Sequence, residues 1–288
     1  MTERDPPHRR TGKRPHADRP DRGANSRPKP PWQKARNQRH RGDDRRGHEP
    51  SDVVILYGWH PVTLALANPA RGIRKLYATE NAAHRLTEEN IPSRITPEIV
   101  RADVIAARLG ADAVHQGLLA EVDPLPALTV DDLEPKGIVL VLDQITDPHN
   151  VGAILRSAAA FAVKAIVTTQ RHSPEATGVL AKAASGALEH VPFVTVGNLA
   201  RALNELKQRG FMTVGLDSEA AETLSRTALM EPLALVLGAE GKGLRHLTRD
   251  TCDVVARLDM PGEIKSLNVS NAAVLALYIG ASRLNLID

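Results

Sequence analysis

The chain has little cysteine and few aromatic residues. One cysteine, Cys252, excludes an intrachain disulfide and a cysteine-rich zinc site. Histidine pairs such as His8 and His16 lack further ligand-type neighbours, so no metal is expected. Three Phe, two Trp and three Tyr in 288 residues leave Ala, Val, Ile and Leu to build the core. No apolar run approaches the ~20 residues that span a bilayer. The Arg- and Pro-rich start has no apolar stretch of the kind a secretory signal needs. A membrane partner is therefore not expected, and the cytoplasm is the expected compartment. No Ser-His-Asp or Cys-His set stands in a context that would support nucleophilic catalysis.

What is present is an uneven distribution of charge. Residues 1–50 carry 15 Lys/Arg against 7 Asp/Glu, a net of +8, whereas the remaining 238 residues are net −5. Eight prolines and a lone aromatic, Trp32, fall in the same basic stretch. Such a segment cannot bury enough apolar area to offset its ordering entropy, so disorder is expected there. A basic arm on a mildly acidic body suits a polyanion partner, most simply RNA.

Order is expected from Ser51. Strands at Val53–Gly58, Arg74–Ala78 and Gly117–Val122 alternate with helices from about Pro61, at Ala82–Glu89, and from a Thr96-Pro97 start to Leu109. This reads as a small α/β domain, residues 51–122. Residues 123–136, with three prolines, read as a linker. Residues 137–288 alternate regularly. Strands are expected at Ile138–Leu142, Ala165–Thr168, Phe193–Val196, Met212–Leu216, Leu233–Leu237 and Val254–Leu258. Helices are expected at Val151–Phe161, Glu175–Ala184, Leu199–Gln208, near Arg245–Arg249 and at Asn271–Leu286. Continuous Val/Ile/Leu runs mean strands covered on both faces, hence an α/β fold with a parallel sheet.

Three segments of this second half end a buried strand in a Gly- or Asn-rich turn. They are Asp147-Pro148-His149-Asn150-Val151-Gly152-Ala153-Ile154-Leu155-Arg156, Leu237-Gly238-Ala239-Glu240-Gly241-Lys242-Gly243-Leu244, and Met260-Pro261-Gly262-Glu263-Ile264-Lys265-Ser266-Leu267-Asn268-Val269-Ser270-Asn271. Open α/β sheets bind ligands at the carboxyl ends of their strands. Arg156 stands in an otherwise Ala/Ile/Leu-rich helix, where a guanidinium is best explained by an anion; the plainer reading is a surface arginine laid along the helix. The glycines from Gly238 to Gly243 match neither the dinucleotide fingerprint nor the phosphate-binding P-loop. They allow close backbone approach beside one carboxylate, Glu240. Ser266, Asn268, Ser270 and Asn271 exceed what one helix start requires. Leu267 and Val269 between them suit a wall against a flat ring. His149 reads as a turn residue.

In this order, the three segments closely resemble the three motifs of the SpoU class of RNA ribose 2′-O-methyltransferases, in the trefoil-knot methyltransferase superfamily. Leu56-Tyr57-Gly58-Trp59-His60-Pro61-Val62 and His115-Gln116-Gly117 resemble the small substrate-binding domain that precedes many members. The resemblance covers about residues 53–288. It implies a parallel-sheet knotted methyltransferase domain with a deep C-terminal trefoil knot, a rare exception to unknotted connections. It also implies a homodimer with the site near the subunit interface. The two-domain layout is most similar to the branch that methylates a guanosine of 23S rRNA. Carried over position by position, main chain around Leu237, Gly238, Leu258, Met260 and Leu267 would hold S-adenosylmethionine. Asn150, Arg156, Glu240, Ser266 and Asn268 would face the target ribose and the methionine end. Lys242 and Lys265 would face RNA. Asn271 departs from the apolar residue many relatives carry there. A tRNA ribose methyltransferase and a non-catalytic RNA-binding assembly factor remain as alternatives.

Overall fold

The structure is a computed structural model that describes residues 53–110, 113–170, 180, 184, 186–263 and 266–287. The basic stretch 1–50 lies outside the described residues, as do most of the helix expected at Glu175–Ala184 and residues Ile264 and Lys265.

Two sheets organise the described residues. The first has four strands, β1 (Val54–Tyr57), β2 (Ile73–Ala78), β3 (Glu98–Ile99) and β4 (Leu118–Val122), in the order β1-β4-β2-β3. β4 pairs antiparallel with both β1 and β2. Helices α1 (Trp59–Ala67), α2 (Glu80–Glu88) and α3 (Ala102–Leu109) connect these strands. Thr79 caps α2 by accepting from the Ala82 N–H. The helix expected from Thr96-Pro97 begins later, after Arg101. Residues 98–99 are drawn instead into a short parallel pairing with Tyr77 and Ala78. A tertiary partner for the backbone overrides the local helix-start signal there.

Residues 123–136 are partly packed rather than a free tether. Thr129 and Asp132 form a reciprocal capping box around a short 3-10 turn at Val130–Asp132. Val130 and Leu133 are buried against the second sheet.

That sheet has seven strands: β5 (Ile138–Asp143), β6 (Ala165–Thr169), β7 (Phe193–Val196), β8 (Met212–Leu216), β9 (Glu222–Thr223), β10 (Leu233–Gly238) and β11 (Val254–Arg257). All its pairings are parallel, in the order β7-β6-β5-β10-β8-β11-β9. β9 has only two residues and carries no hydrophobic run that would announce it. Helices α4 (Pro148–Ala160), α5 (Leu199–Gln208), α6 (His246–Thr251) and α7 (Val269–Arg283), with a 3-10 turn at Ala187–Glu189, complete the described elements.

The two-residue period of the strands divides the core. Ile138, Leu140 and Leu142 of β5 and Leu233, Leu235 and Leu237 of β10 cluster with Ile154, Leu155 and Ala158 of α4 and Ala273, Ala276 and Leu277 of α7. Val139, Val141, Ala234 and Val236 face the other way, onto Leu199, Ala202, Leu203 and Leu206 of α5. The spacing of those four α5 residues is that of one helical face. The result is a layered α/β/α arrangement in which β5 and β10 are covered on both sides. Among the described residues, no helix is long and apolar enough to cross a membrane.

Candidate functional site

The strand order places a switch point between β5 and β10. From β5 the chain moves outward to β6 and β7, then returns to build β8, β11 and β9 on the far side, with β10 inserted between. Loops leaving neighbouring strands in opposite directions open a crevice at the carboxyl ends. In register, Asp143 at the end of β5 lies beside Gly238 at the end of β10. The first two sequence segments, some ninety-five residues apart, therefore start from adjacent positions.

The second segment turns back on itself. Gly243 N–H donates to the Ala239 carbonyl at 2.8 Å, and the two residues form an isolated antiparallel bridge. This return passes so close to β10 that a Cβ on Gly238 would lie 2.1 Å from the Gly243 carbonyl carbon. Only glycine admits that approach. Asp143 holds the far end of the loop. Its fully buried carboxylate accepts from Arg245 Nε at 2.7 Å and from the Arg245 backbone N–H at 3.0 Å.

The first segment opens α4. Asp147, rather than Asn150, is the cap, accepting from the His149 N–H at 3.0 Å, with Pro148 in the first turn. Asn150 is thereby free to turn toward the third segment. Asn268 Nδ2 donates to Asn150 Oδ1 at 3.0 Å and lies 3.5 Å from Glu240 Oε2. Asn268 also caps α7, its Oδ1 accepting from the Ser270 N–H at 2.9 Å and the Ser270 hydroxyl at 2.6 Å. One side chain thus starts a helix and joins three loops. α7 begins at Val269, earlier than the expected Asn271, and Asn271 itself is exposed.

Beside this cluster is a cavity of about 210 Å³. Leu237, Gly238, Leu258, Met260 and Leu267 line it, and so do Glu240 and Ser266. Leu237 and Leu258 are buried, while Leu267 and Ser266 are exposed at its mouth. Flat apolar walls and a glycine-rich backbone edge suit a purine nucleoside: the ring lies against leucines, and main-chain N–H and C=O groups read its edge. Leu216, Asp217 and Ser218 at the end of β8 also line the cavity. Sequence reasoning missed them; their position at the carboxyl end of a buried strand was the available signal. It missed the Asp143–Arg245 pair as well, which an acid at the end of an apolar strand could have suggested.

Arg156 does not join the cluster. Six residues beyond Asn150, it is about 9 Å further along the helix axis. Its side chain is exposed and makes no hydrogen bond or ion pair to another described residue. His149 is exposed too. Among the described residues, no group of three or more His, Cys, Asp or Glu could hold a metal ion.

Comparison with known proteins agrees with this geometry. The SpoU rRNA Methylase family matches residues 137–278, and the family described as RNA 2'-O ribose methyltransferase substrate binding matches residues 55–128. The chain is 40% identical to a 23S rRNA (guanosine-2'-O-)-methyltransferase RlmB of Ralstonia nicotianae, over 79% of this chain and 95% of the relative. It is also 40% identical to the protein of that name from Pseudomonas aeruginosa, over 77% of this chain and 94% of the relative. Among solved structures, the SpoU methyltransferase AviRb of Streptomyces viridochromogenes, in complex with the cofactor AdoMet, has a TM-score of 0.69 at 23% identity, covering 81% of this chain and 90% of that one. At that identity it speaks to the fold alone. On the strength of the full-length relatives and of the three segments meeting at one crevice, this chain belongs to the SpoU rRNA methylase family.

Proposed function

We propose that this protein transfers a methyl group from S-adenosylmethionine to a ribose 2′-hydroxyl of rRNA, specifically a guanosine of 23S rRNA. The observation that carries the reading is the meeting of three distant loops at one switch point, with Asn150, Asn268 and Glu240 hydrogen-bonded beside a nucleoside-sized cavity. The names borne by the relatives favour rRNA over tRNA, and favour an enzyme over a non-catalytic assembly factor.

S-adenosylmethionine, when bound, supplies an electrophilic methyl group and a neutral thioether leaving group. The chain supplies alignment. Main chain around Leu237, Gly238, Leu258, Met260 and Leu267 holds the nucleoside part in the cavity. Asn150, Ser266 and Asn268 orient the ribose and the methionine end. Glu240, exposed at the mouth, receives the hydroxyl proton directly or through a water. Arg156, exposed and apart from that cluster, grips a phosphate beside the target. A guanidinium with a pKa above ~12 is poorly suited to act as a base.

The sequence supports a division of the chain into a basic extension (1–50), a small RNA-binding domain (51–122), a linker (123–136) and the methyltransferase domain (137–288). The extension adds salt-dependent phosphate affinity. The family resemblance supports a trefoil-knotted C-terminal region, a homodimer and a cytoplasmic location. For the homodimer there is a second support: Leu267, Val274 and Tyr278 are exposed large hydrophobics, the last two one turn apart on α7.

The test is a map of 2′-O-methylation across rRNA from cells with and without the protein. Loss of one guanosine 2′-O-methyl mark in 23S rRNA is expected. An unchanged rRNA map would reject the reading.

A further inference from the structure

The small sheet and the seven-stranded sheet are joined covalently through residues 123–137, and they also meet at a side-chain clasp. The side chain of Arg71, in the loop after α1, is 4% exposed, and that of Glu189 3%. Arg71 Nη2 lies 2.5 Å from Glu189 Oε1, and Nε lies 3.1 and 3.2 Å from the two carboxylate oxygens. Asn68 Nδ2 donates to Glu189 Oε2 at 2.7 Å, so the carboxylate is held from two sides. The remaining guanidinium face is used as well, Nη1 donating to the Asp123 carbonyl at 2.8 Å.

Both partners sit on braced backbone. Arg94 donates to the carbonyls of Asn68, Pro69 and Arg71, stapling the loop that carries the arginine. Glu189 ends a short 3-10 turn, Ala187–Glu189, just before β7. Gly186 starts that turn with φ +84°, and a Cβ there would lie 2.4 Å from Leu64 Cδ1 and 3.2 Å from the His60 carbonyl. α1 therefore rests directly on the turn that presents Glu189.

Apolar packing also joins the two sheets, since Leu56, Val62 and Leu66 share one buried cluster with Ala187, Leu188 and Val191, but apolar contact has no direction of its own. A cavity of about 700 Å³ lies beside the clasp, with Leu56, Leu125, Leu128, Leu188 and Phe193 in its wall. On that side the contact between the sheets opens into a cleft, and the clasp stands at its edge. A buried ion pair is a poor means of gaining stability, because desolvation cancels much of the attraction. Its distinctive property is direction: a two-pronged arginine–carboxylate pair is satisfied in one relative orientation.

We propose that Arg71 and Glu189 are positioning residues that lock the small domain at one angle to the methyltransferase domain, so that RNA held by the former offers its ribose to the cavity of the latter. The proposal rests on the functional reading above for its consequence, though not for its geometry. None of the clasp residues lines the cofactor cavity.

The test uses the full chain with spin labels on Glu88→Cys and Asn204→Cys, both exposed positions, one on each domain. Cys252 stays in place because burial suppresses its reactivity. With labelled chain diluted in excess unlabelled chain, so that each dimer holds at most one labelled copy, the parent should give one narrow intra-protomer distance by pulsed electron–electron resonance. Glu189→Gln, which keeps the shape, and Arg71→Lys, which keeps the charge, should each broaden it. Without labels, both variants should keep the parental affinity for S-adenosylmethionine and lose roughly 10- to 100-fold in methylation of rRNA, as expected when reacting groups are misplaced by about 1 Å. A narrow, unchanged distance in both variants overturns the clasp, whatever the activity. Broadened distances with undiminished methylation overturn its role in positioning. A parent that neither binds S-adenosylmethionine nor methylates RNA removes the functional reading while the distance measurement still decides the clasp.

Discussion

Gly238→Ala isolates the geometry on which the proposed cofactor site depends. The added Cβ would stand 2.1 Å from the Gly243 carbonyl carbon, 2.3 Å from its oxygen and 2.4 Å from the Leu244 nitrogen. Carbon atoms rest about 3.5–4.0 Å apart, so the backbone must separate by more than ~1 Å. No flexible side chain can yield instead, since every near atom is main chain. The loop cannot simply retreat either. Its neck is closed by the 2.8 Å bond from Gly243 to Ala239, and its far end is tied to Asp143 through the Arg245 N–H. Overpacking of this kind costs about 1–3 kcal/mol. At the middle of that range a domain of this size loses roughly 4–8 °C in Tm. The larger effect falls on binding, because Leu237, Glu240, Gly241 and Gly243 all line the cavity. Losing one or two hydrogen bonds of about 1–1.5 kcal/mol each weakens S-adenosylmethionine roughly 10- to 100-fold. Calorimetric titration with a parallel thermal melt measures both. Gly262→Ala is the control, because its Cβ would meet nothing within 4 Å. Parental affinity in Gly238→Ala, or equal losses in both variants, would refute the reasoning.

Four further outcomes are expected. Asp143→Asn removes the charge that holds Arg245; because that arginine is 42% exposed, water offsets part of the loss, and urea unfolding should show about 1–2 kcal/mol rather than the 3–5 of a fully buried pair. Asn268→Asp keeps the acceptor that starts α7 but replaces the amide donor between Asn150 and Glu240 by a second carboxylate; helix content by circular dichroism should hold while methyl transfer falls steeply. Arg156→Lys keeps the charge and loses the planar fork, so single-turnover rates should drop with S-adenosylmethionine affinity unchanged; near-parental rates would eliminate the phosphate-gripping role. Burial, with help from neighbouring Asp253, pushes the Cys252 thiol up to about 12. The native state thus favours the neutral thiol: its contribution is complete below the ordinary thiol pKa and is lost as pH rises toward 12, so stability should decline above about pH 8.5, and Cys252→Ala should flatten that decline in a pH series of melts.

The large sheet was legible because its strands are buried on both faces. Runs such as Ile138–Leu142 and Leu233–Leu237 admit no other reading, and each was found within a residue of its observed span. Asn198, a residue type suited to start a helix, caps α5 by accepting from the Arg201 N–H at 3.0 Å. Edges and partners were not legible. β9 is two residues long, and β3 exists because Tyr77 and Ala78 offer it a partner. In the proposed site, residue types foretold which loops meet but not how duties were shared. Asp147 and Asn150 are both competent caps three residues apart. The proline between them leaves the cap to Asp147 and frees Asn150 for Asn268. The exposure of Arg156 follows from helical phase, since neighbours Ile154 and Leu155 take the buried side. The Arg71–Glu189 clasp joins residues over a hundred positions apart, and no local pattern marks either one.

The two halves of the site are built to different standards. On the proposed cofactor side every loop has an anchor outside the cavity. Asp143 ties the Glu240 loop to β5, Asp147 starts α4, and Asn268 starts α7 while bridging the other two segments. These anchors stand at the ends of strands and helices whose interiors are among the most buried parts of the chain. Rigid elements with supporting hydrogen bonds hold reacting groups more accurately than free loops do. On the side proposed to meet RNA, by contrast, Arg156 and Glu240 are exposed. That asymmetry fits a reaction in which a small cofactor is gripped in advance and a large, flexible polyanion is not. In-line transfer tolerates little error in the approach of the hydroxyl. The accuracy missing from the exposed side must then come from elsewhere in the chain, and a directional ion pair between the two sheets is a means of supplying it.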